Sequence, residues 1–139
     1  MKIPMAPVPG SALPAPHPTG SLRILIVEDD DLISFLLEDV LTDLGHTVCA
    51  TATTEAQAVT AARQHRPDLM LVDAGLREGN GIQAVEEILR SGPVAHVFIT
   101  GNPRAVQERR PGAIVLKKPF RESDLVRVIH SAAKIATAG

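Results

Sequence analysis

The chain has 139 residues and a net charge of −2, with 45% apolar, 22% charged and 2% aromatic residues. This length supports one domain with a substantial core, and the composition provides neither a basic surface nor a stacking platform for nucleic acid. The single cysteine, Cys49, excludes an internal disulfide, fits a reducing compartment and is expected to be a small buried side chain.

Six of the eleven prolines lie in residues 1–20. Burial of this segment cannot offset the entropy lost on ordering it, so we predict a disordered or polyproline-like tail before one domain at residues 21–139. The chain has neither a signal-peptide apolar stretch nor a run of 18 apolar residues, so a cytoplasmic protein without a membrane partner is expected. The last predicted helix ends near residue 136, which we expect to leave no room for an output domain.

Five apolar segments predict β-strands, and a helical pattern follows each of them. The strands are expected at residues 22–27, 46–51, 69–73, 94–99 and 113–116. The helices are expected at residues 33–44, 54–64, 82–91, 103–110 and 125–136, and the fourth is at most two turns long. This alternation predicts an α/β fold with a parallel sheet and helices on both of its faces.

Polar residues stand where the predicted strands end. They are Glu28 and Asp29 after the first strand, Asp73 at the end of the third, Thr100 at the end of the fourth and Lys118 after the fifth. Ligands of open parallel sheets bind at the carboxyl ends of the strands, although a lone aspartate there also commonly starts a turn or caps a helix.

Convergence of these side chains would make a phosphoryl site. Two carboxylates about 4 Å apart repel by roughly 4 kcal/mol at an effective dielectric constant near 20, so the cluster requires a cation. An all-oxygen ligand set favours Mg²⁺. A carboxylate opposite a lysine and a hydroxyl can then attack phosphorus in line.

Neighbouring charged residues are expected to have other roles. Asp30 and Asp31 are predicted to start a helix, because carboxylates stabilise a helix N-terminus. Lys117 is expected to be solvated, and residues 109–110, both arginine, are expected to form a solvated turn. No pair of histidines has the spacing of metal ligands on a helix.

Two other site classes fit less well. A dinucleotide-binding fold needs a glycine-rich turn after the first strand, but that turn is acidic here and would repel a pyrophosphate. A phosphatase of the haloacid-dehalogenase type would have a second aspartate two positions after its nucleophile, where this chain has Gly75.

The ordered motifs resemble those of a response-regulator receiver domain over about residues 21–136. They are Ile-Leu-Ile-Val-Glu-Asp ending at Asp29, Pro-Asp-Leu-Met-Leu-Val-Asp ending at Asp73, Gly81 eight residues later, Thr100, and Lys118-Pro-Phe. The resemblance implies a flavodoxin-like (βα)5 doubly wound parallel sheet with strand order 2-1-3-4-5.

The same resemblance implies a role for each site residue. Asp73 would accept the phosphoryl group, and Mg²⁺ would be bound by Asp73, Asp29 and the main-chain carbonyl of Gly75, with Glu28 assisting through water. Thr100 would donate a hydrogen bond to the phosphoryl group and Lys118 would form an ion pair with it. The bond between Lys118 and Pro119 is expected to be cis.

Two departures from the family pattern indicate a subclass, and one of them is the short span from Thr100 to Lys118. The position three residues before Lys118, usually aromatic, holds Val115, so the usual rotamer switch cannot operate. Residues 98–101, Phe-Ile-Thr-Gly, resemble the Phe-Ala-Thr-Gly motif of alphaproteobacterial single-domain regulators, a resemblance that implies a kinase of the HWE type. We hypothesise that phosphorylation orders residues 101–112.

The sequence thus predicts a stand-alone bacterial response regulator of a two-component phosphorelay. It would take a phosphoryl group from a histidine kinase or a phosphotransfer protein and then signal to a protein target or drain phosphate. It would catalyse only its own phosphorylation and dephosphorylation. The alternative, from another class, is a receiver-fold binding module that works without phosphorylation; retention of the full site argues against it.

Overall fold

A computed structural model describes residues 20–138, with no side-chain description for Ala138. The predicted tail at residues 1–20 therefore lies outside the described residues, apart from Gly20. The strands are β1 (Arg23–Val27), β2 (Thr47–Ala52), β3 (Leu69–Asp73), β4 (Ala95–Thr100) and β5 (Ile114–Lys117). The helices are α1 (Asp31–Asp43), α2 (Glu55–His65), α3 (Gly81–Leu89), α4 (Pro103–Arg109) and α5 (Glu122–Ala138).

The five strands form one parallel sheet in the order β2-β1-β3-β4-β5, which confirms the predicted fold class and strand order. β3 lies at the centre, and all five of its residues are buried. The register pairs Val27 with Val72 and Asp73 with Ile99, so the carboxyl ends of β1, β3 and β4 lie side by side.

Alternate residues of each strand enter two separate cores, because successive side chains of a strand point to opposite faces. One face packs against α1 and α5, and the other packs against α2, α3 and α4. In the central strand, Leu69 and Leu71 belong to the first core, whereas Met70 and Val72 belong to the second. Burial on both faces explains why β3 is a continuous apolar run.

Side-chain caps fix where the helices begin. Asp30 caps α1, as predicted, by accepting from the main-chain N–H groups of Leu32 and Ile33 at 2.9 and 3.2 Å. Thr54 caps α2 by accepting from the N–H of Gln57 at 3.1 Å, and Asn102 caps α4. Each cap satisfies a donor that the helix leaves unpaired.

Several local predictions can be compared with the structure. α4 has seven residues, as expected for a segment of at most two turns, and the bond between Lys118 and Pro119 is cis. Cys49 was expected to be buried but is only half-buried in β2. The prediction of a solvated turn at residues 109–110 was right only in part. Arg109 is exposed, but it ends α4 and its Nη2 lies 2.7 Å from Glu86 Oε1.

Within residues 20–138, the structure contains no helix with the length and apolar character needed to cross a membrane.

Candidate functional site

Three carboxylates meet at the carboxyl edge of the sheet. Glu28 and Asp29 follow β1, and Asp73 ends the adjacent strand β3. One carboxylate oxygen from each residue lies within 4.8 Å of the other two. The structure thus brings together the acidic residues that the sequence predicted to converge.

Both oxygens of Asp73 are held in place. Its side chain is buried, its Oδ1 accepts from the main-chain N–H of Gly75 at 2.9 Å, and its Oδ2 accepts from Lys118 Nζ at 3.1 Å. The two contacts set the orientation of the carboxylate and supply one full positive charge beside it. Asp73 therefore does not act as a helix cap; that role at the start of α3 belongs to Asn80.

Close packing against the end of β3 explains why the motif has a glycine at position 81. A Cβ added there would lie 2.1 Å from the carbonyl oxygen of Asp73 and 2.9 Å from Cγ1 of Val72. The first residue of α3 thus packs directly on the end of β3, and only glycine leaves room for this approach. The spacing of eight residues from Asp73 follows from the path of the loop that joins the two elements.

Glu28 is almost fully buried and incompletely paired. Its Oε2 accepts from the main-chain N–H of Asp30 at 3.1 Å, but its Oε1 has no hydrogen-bond donor among the described residues. The nearest cation is Lys118, whose Nζ lies 3.8 Å from Oε1. Burial raises the pKa of Glu28 to about 7; Asp73 adds to this rise, whereas the Asp30 N–H and Lys118 oppose it. Such a group calls for a partner beyond those that the described residues supply.

Asp29 lies at the more open side of the pocket and contacts the loop after β3. Its Oδ2 accepts from the main-chain N–H of Arg77 at 2.7 Å. The Nε of Arg77 lies 3.7 Å from the same oxygen. The sequence analysis did not single out Arg77, and the lone arginine between Asp73 and Gly81 was the signal that could have identified it.

Thr100 and Lys118 complete the edge of the sheet. The Thr100 hydroxyl oxygen accepts from the main-chain N–H of Asn102 at 2.9 Å, so its O–H proton can be directed to a ligand. The Thr100 carbonyl accepts from the main-chain N–H of Lys118 at 2.8 Å, which fixes the start of the β5–α5 connection. Lys117 is exposed, as predicted, whereas Lys118 turns into the pocket.

The donor set fits a hard divalent cation. Among the described residues, the ligand atoms that the cluster offers are carboxylate oxygens of Glu28, Asp29 and Asp73, and two of these three residues are buried. The three carboxylates outnumber the single lysine that contacts Asp73 and Glu28, so a divalent ion would relieve their repulsion. Oxygen ligands favour Mg²⁺ over the softer transition metals.

Residues 24–130 match the family model described as the response regulator receiver domain. The chain belongs to the response regulator receiver family. Receiver domains bind Mg²⁺ at an acidic pocket and interact with histidine kinases or phosphotransfer proteins, and this chain has an acidic cluster of Glu28, Asp29 and Asp73.

Known receiver proteins resemble this chain over most of its length. The phyllosphere-induced regulator PhyR of Methylorubrum extorquens is 38% identical over 114 residues, which cover 79% of this chain but only 43% of that protein. The chemotaxis protein CheY of Thermotoga maritima is 29% identical over 117 residues, which cover 81% of this chain and 98% of CheY. The solution structure of the receiver domain of Erythrobacter litoralis PhyR has a TM-score of 0.75 and 41% identity, covering 82% of this chain and 91% of that one.

Proposed function

We propose that this receiver domain is a stand-alone response regulator that accepts a phosphoryl group on Asp73 from a histidine kinase or a phosphotransfer protein. The observation that carries the proposal is the position of Asp73. It is a buried carboxylate at the end of the central strand, held by Lys118 at 3.1 Å and beside two further carboxylates. A phosphorylation-independent binding module would not need this arrangement.

In the proposed reaction, an oxygen of Asp73 attacks phosphorus, while the bond from phosphorus to the donor's histidine nitrogen breaks. Lys118 Nζ, which contacts Asp73 in the structure, forms an ion pair with the transferred group. The hydroxyl of Thr100 donates a hydrogen bond to it. The N–H of Gly75 holds the other oxygen of Asp73 and thereby limits rotation of the carboxylate.

The pocket residues also define a proposed Mg²⁺ site. We assign Asp29, Asp73 and the main-chain carbonyl of Gly75 as its ligands, with Glu28 acting through water. When bound, the ion would supply positive charge to the acidic cluster and to the oxygens of the phosphoryl group. The Oε1 of Glu28, which has no hydrogen-bond donor among the described residues, supports this assignment, because a bound ion and its water would satisfy it.

We further propose a cytoplasmic bacterial protein that catalyses only its own phosphorylation and dephosphorylation. The phosphorylated protein would signal through the β4–α5 side of the domain to a protein target, or the protein would drain phosphate from a shared kinase. The similarity over 98% of a CheY protein supports a receiver that functions alone. The short motif at residues 98–101 supports a kinase of the HWE type.

A protein partner beside the site is supported by an apolar surface on α1. Leu32, Phe35 and Leu36 are exposed by 80%, 65% and 43% and follow the acidic pair by a few residues. Large apolar side chains grouped on one exposed helix face commonly mark a protein contact. This position would bring a partner's phosphohistidine close to Asp73.

Calorimetric titration with Mg²⁺ tests the proposal against the binding-module alternative. The wild-type protein should bind one ion, and Asp29→Ala should weaken that binding by at least about tenfold, because it removes a charged ligand. Asp31→Ala is the matched control: it also removes an acidic residue near the start of α1, but Asp31 is exposed and outside the cluster. Equal affinities for the wild type and Asp29→Ala would contradict the proposed site.

A further inference from the structure

Arg77 is a second cation at the acidic pocket, and it contacts a different carboxylate from those that Lys118 contacts. Its main-chain N–H and its Nε approach the same oxygen, Oδ2 of Asp29, at 2.7 and 3.7 Å. Lys118 contacts Glu28 and Asp73 instead. Each of the three carboxylates therefore contacts one of two cations, and Arg77 contacts the one that is most open to solvent.

The loop that carries Arg77 is anchored on both sides of it. Before it, the N–H of Gly75 donates to Asp73 at 2.9 Å. After it, the N–H of Asn80 donates to Oε1 of Glu55 at 2.8 Å, and the N–H of Glu55 donates to the carbonyl of Glu78 at 3.1 Å. The start of α2 thus holds the loop, and the main chain of Arg77 has a fixed position.

Gly79 allows the loop to approach Glu55 closely. Its φ is +88°, and a Cβ there would lie 2.3 Å from Cβ of Glu55. A larger residue would clash with Glu55 and push the loop outward. In contrast to its main chain, the side chain of Arg77 is 79% exposed, so its guanidinium can turn between Asp29 and a ligand entering from solvent.

The charge of the pocket gives the Arg77 guanidinium two opposite effects, one on cation binding and one on binding of a phosphoryl donor. With all groups ionised, the three carboxylates and Lys118 sum to −2, a charge that a divalent cation neutralises. A guanidinium on Asp29 competes with that cation. Once a cation is bound, a phosphoryl donor adds negative oxygens, which the forked donors of an arginine bind well.

We infer that Arg77 is a phosphoryl-binding residue that leaves Asp29 when Mg²⁺ and the donor enter the pocket. Before they enter, it weakens Mg²⁺ binding by pairing with Asp29. Afterwards, its guanidinium holds oxygens of the donor's phosphoryl group and favours transfer to Asp73. This inference rests on the proposed function. Arg77 opposes Mg²⁺ binding but favours phosphoryl transfer, so its removal should change the two in opposite directions.

The test measures both effects in Arg77→Ala. Calorimetry with Mg²⁺ alone is suitable, because the chain has no tryptophan or tyrosine for intrinsic fluorescence. The variant should bind Mg²⁺ about threefold more tightly, the scale of one partly exposed charge contact. At saturating Mg²⁺, intact-protein mass should show phosphorylation by acetyl phosphate slowed by about fivefold, the scale of one charge-assisted contact.

Two further variants separate electrostatics from loop structure. Arg77→Lys should recover part of both effects, because it restores a charge without the planar fork. Arg90→Ala removes an equally exposed arginine, 77% accessible and paired with Glu87 at 3.0 Å, and should change neither measurement. Both differences should shrink at 0.5 M salt, where exposed charges are screened.

The outcomes are distinct. Weaker Mg²⁺ binding together with slower phosphorylation would show a structural effect on the loop and overturn the inference. A change in only one measurement, or in neither, would also overturn it. If the wild-type protein takes up no phosphoryl group, the proposed function fails and the inference fails with it. If the wild type is phosphorylated but Arg77→Ala does not slow this step, the inference alone fails.

Discussion

At the scale of single residues, the pocket combines groups that would destabilise the fold if left alone. Glu28 is 3% exposed, and one of its oxygens has no donor within the described part of the chain. A buried carboxylate in this position is costly when ionised and much less so when protonated. This unfavourable free energy of burial occurs at the place where we propose that an ion binds.

This arrangement predicts a pH dependence of stability in the absence of metal. The pKa of Glu28 is raised from 4.5 to about 7 by its burial, so folding favours the protonated form. Glu28 therefore stabilises the fold fully at a pH below its pKa in the unfolded chain, and this stabilisation is lost as the pH rises through about 7. With EDTA present, Glu28→Gln should therefore gain stability relative to the wild type by roughly 2 kcal/mol between pH 5 and pH 8.

Urea denaturation at several pH values measures this difference. Glu108→Gln is the control, because Glu108 is exposed on α4 and has no ion pair among the described residues. Saturating Mg²⁺ should remove much of the pH dependence of the wild type, since the ion satisfies the ionised pocket. Parallel pH profiles for the wild type and Glu28→Gln in EDTA would contradict this account of Glu28.

At the scale of secondary-structure elements, strand ends were predictable and loop contacts were not. The apolar runs and the alternation of strands with helices placed Glu28, Asp73 and Thr100 at one edge of the sheet. The contact of Arg77 with Asp29 joins residues 48 positions apart. It depends on the path of an irregular loop, and no periodic pattern encodes that path.

α4 shows the same limit. Its short length followed from the polar segment at residues 103–110, but its ion pair with α3 did not. Arg109 Nη2 lies 2.7 Å from Glu86 Oε1, and Asn102 caps the other end of the helix. Residues 103–109 are thus already helical in this structure, and ordering of residues 101–112 on phosphorylation remains a prediction.

Removing the ion pair should loosen α4. In Arg109→Ala, amide hydrogen exchange of residues 103–109 should accelerate by about twofold to fivefold, because a partly exposed pair contributes up to about 1 kcal/mol. Arg104→Ala is the control on the same helix, since Arg104 is exposed and has no ion pair among the described residues. Unchanged exchange in Arg109→Ala would show that the cap and the apolar contact of Val106 hold α4 without Arg109.

At the scale of the whole molecule, the fold and the family were readable from the sequence because motif order and strand topology agree. Each strand-end residue alone is a weak signal, whereas their sequence order restricts them to one edge of a doubly wound sheet. The identity of the partners is not encoded in this pattern. It depends on surfaces such as the exposed face of α1, whose apolar residues carry no motif.

The central claim is that Asp73 accepts a phosphoryl group. The most direct measurement is the intact-protein mass after incubation with acetyl phosphate and Mg²⁺, for the wild type and for Asp73→Asn. The account predicts a gain of one phosphoryl group in the wild type, and no gain in the variant or in the wild type with EDTA. An equal gain in Asp73→Asn, or no gain in a wild-type protein that binds Mg²⁺ and is offered phosphorylated kinases as donors, would contradict it.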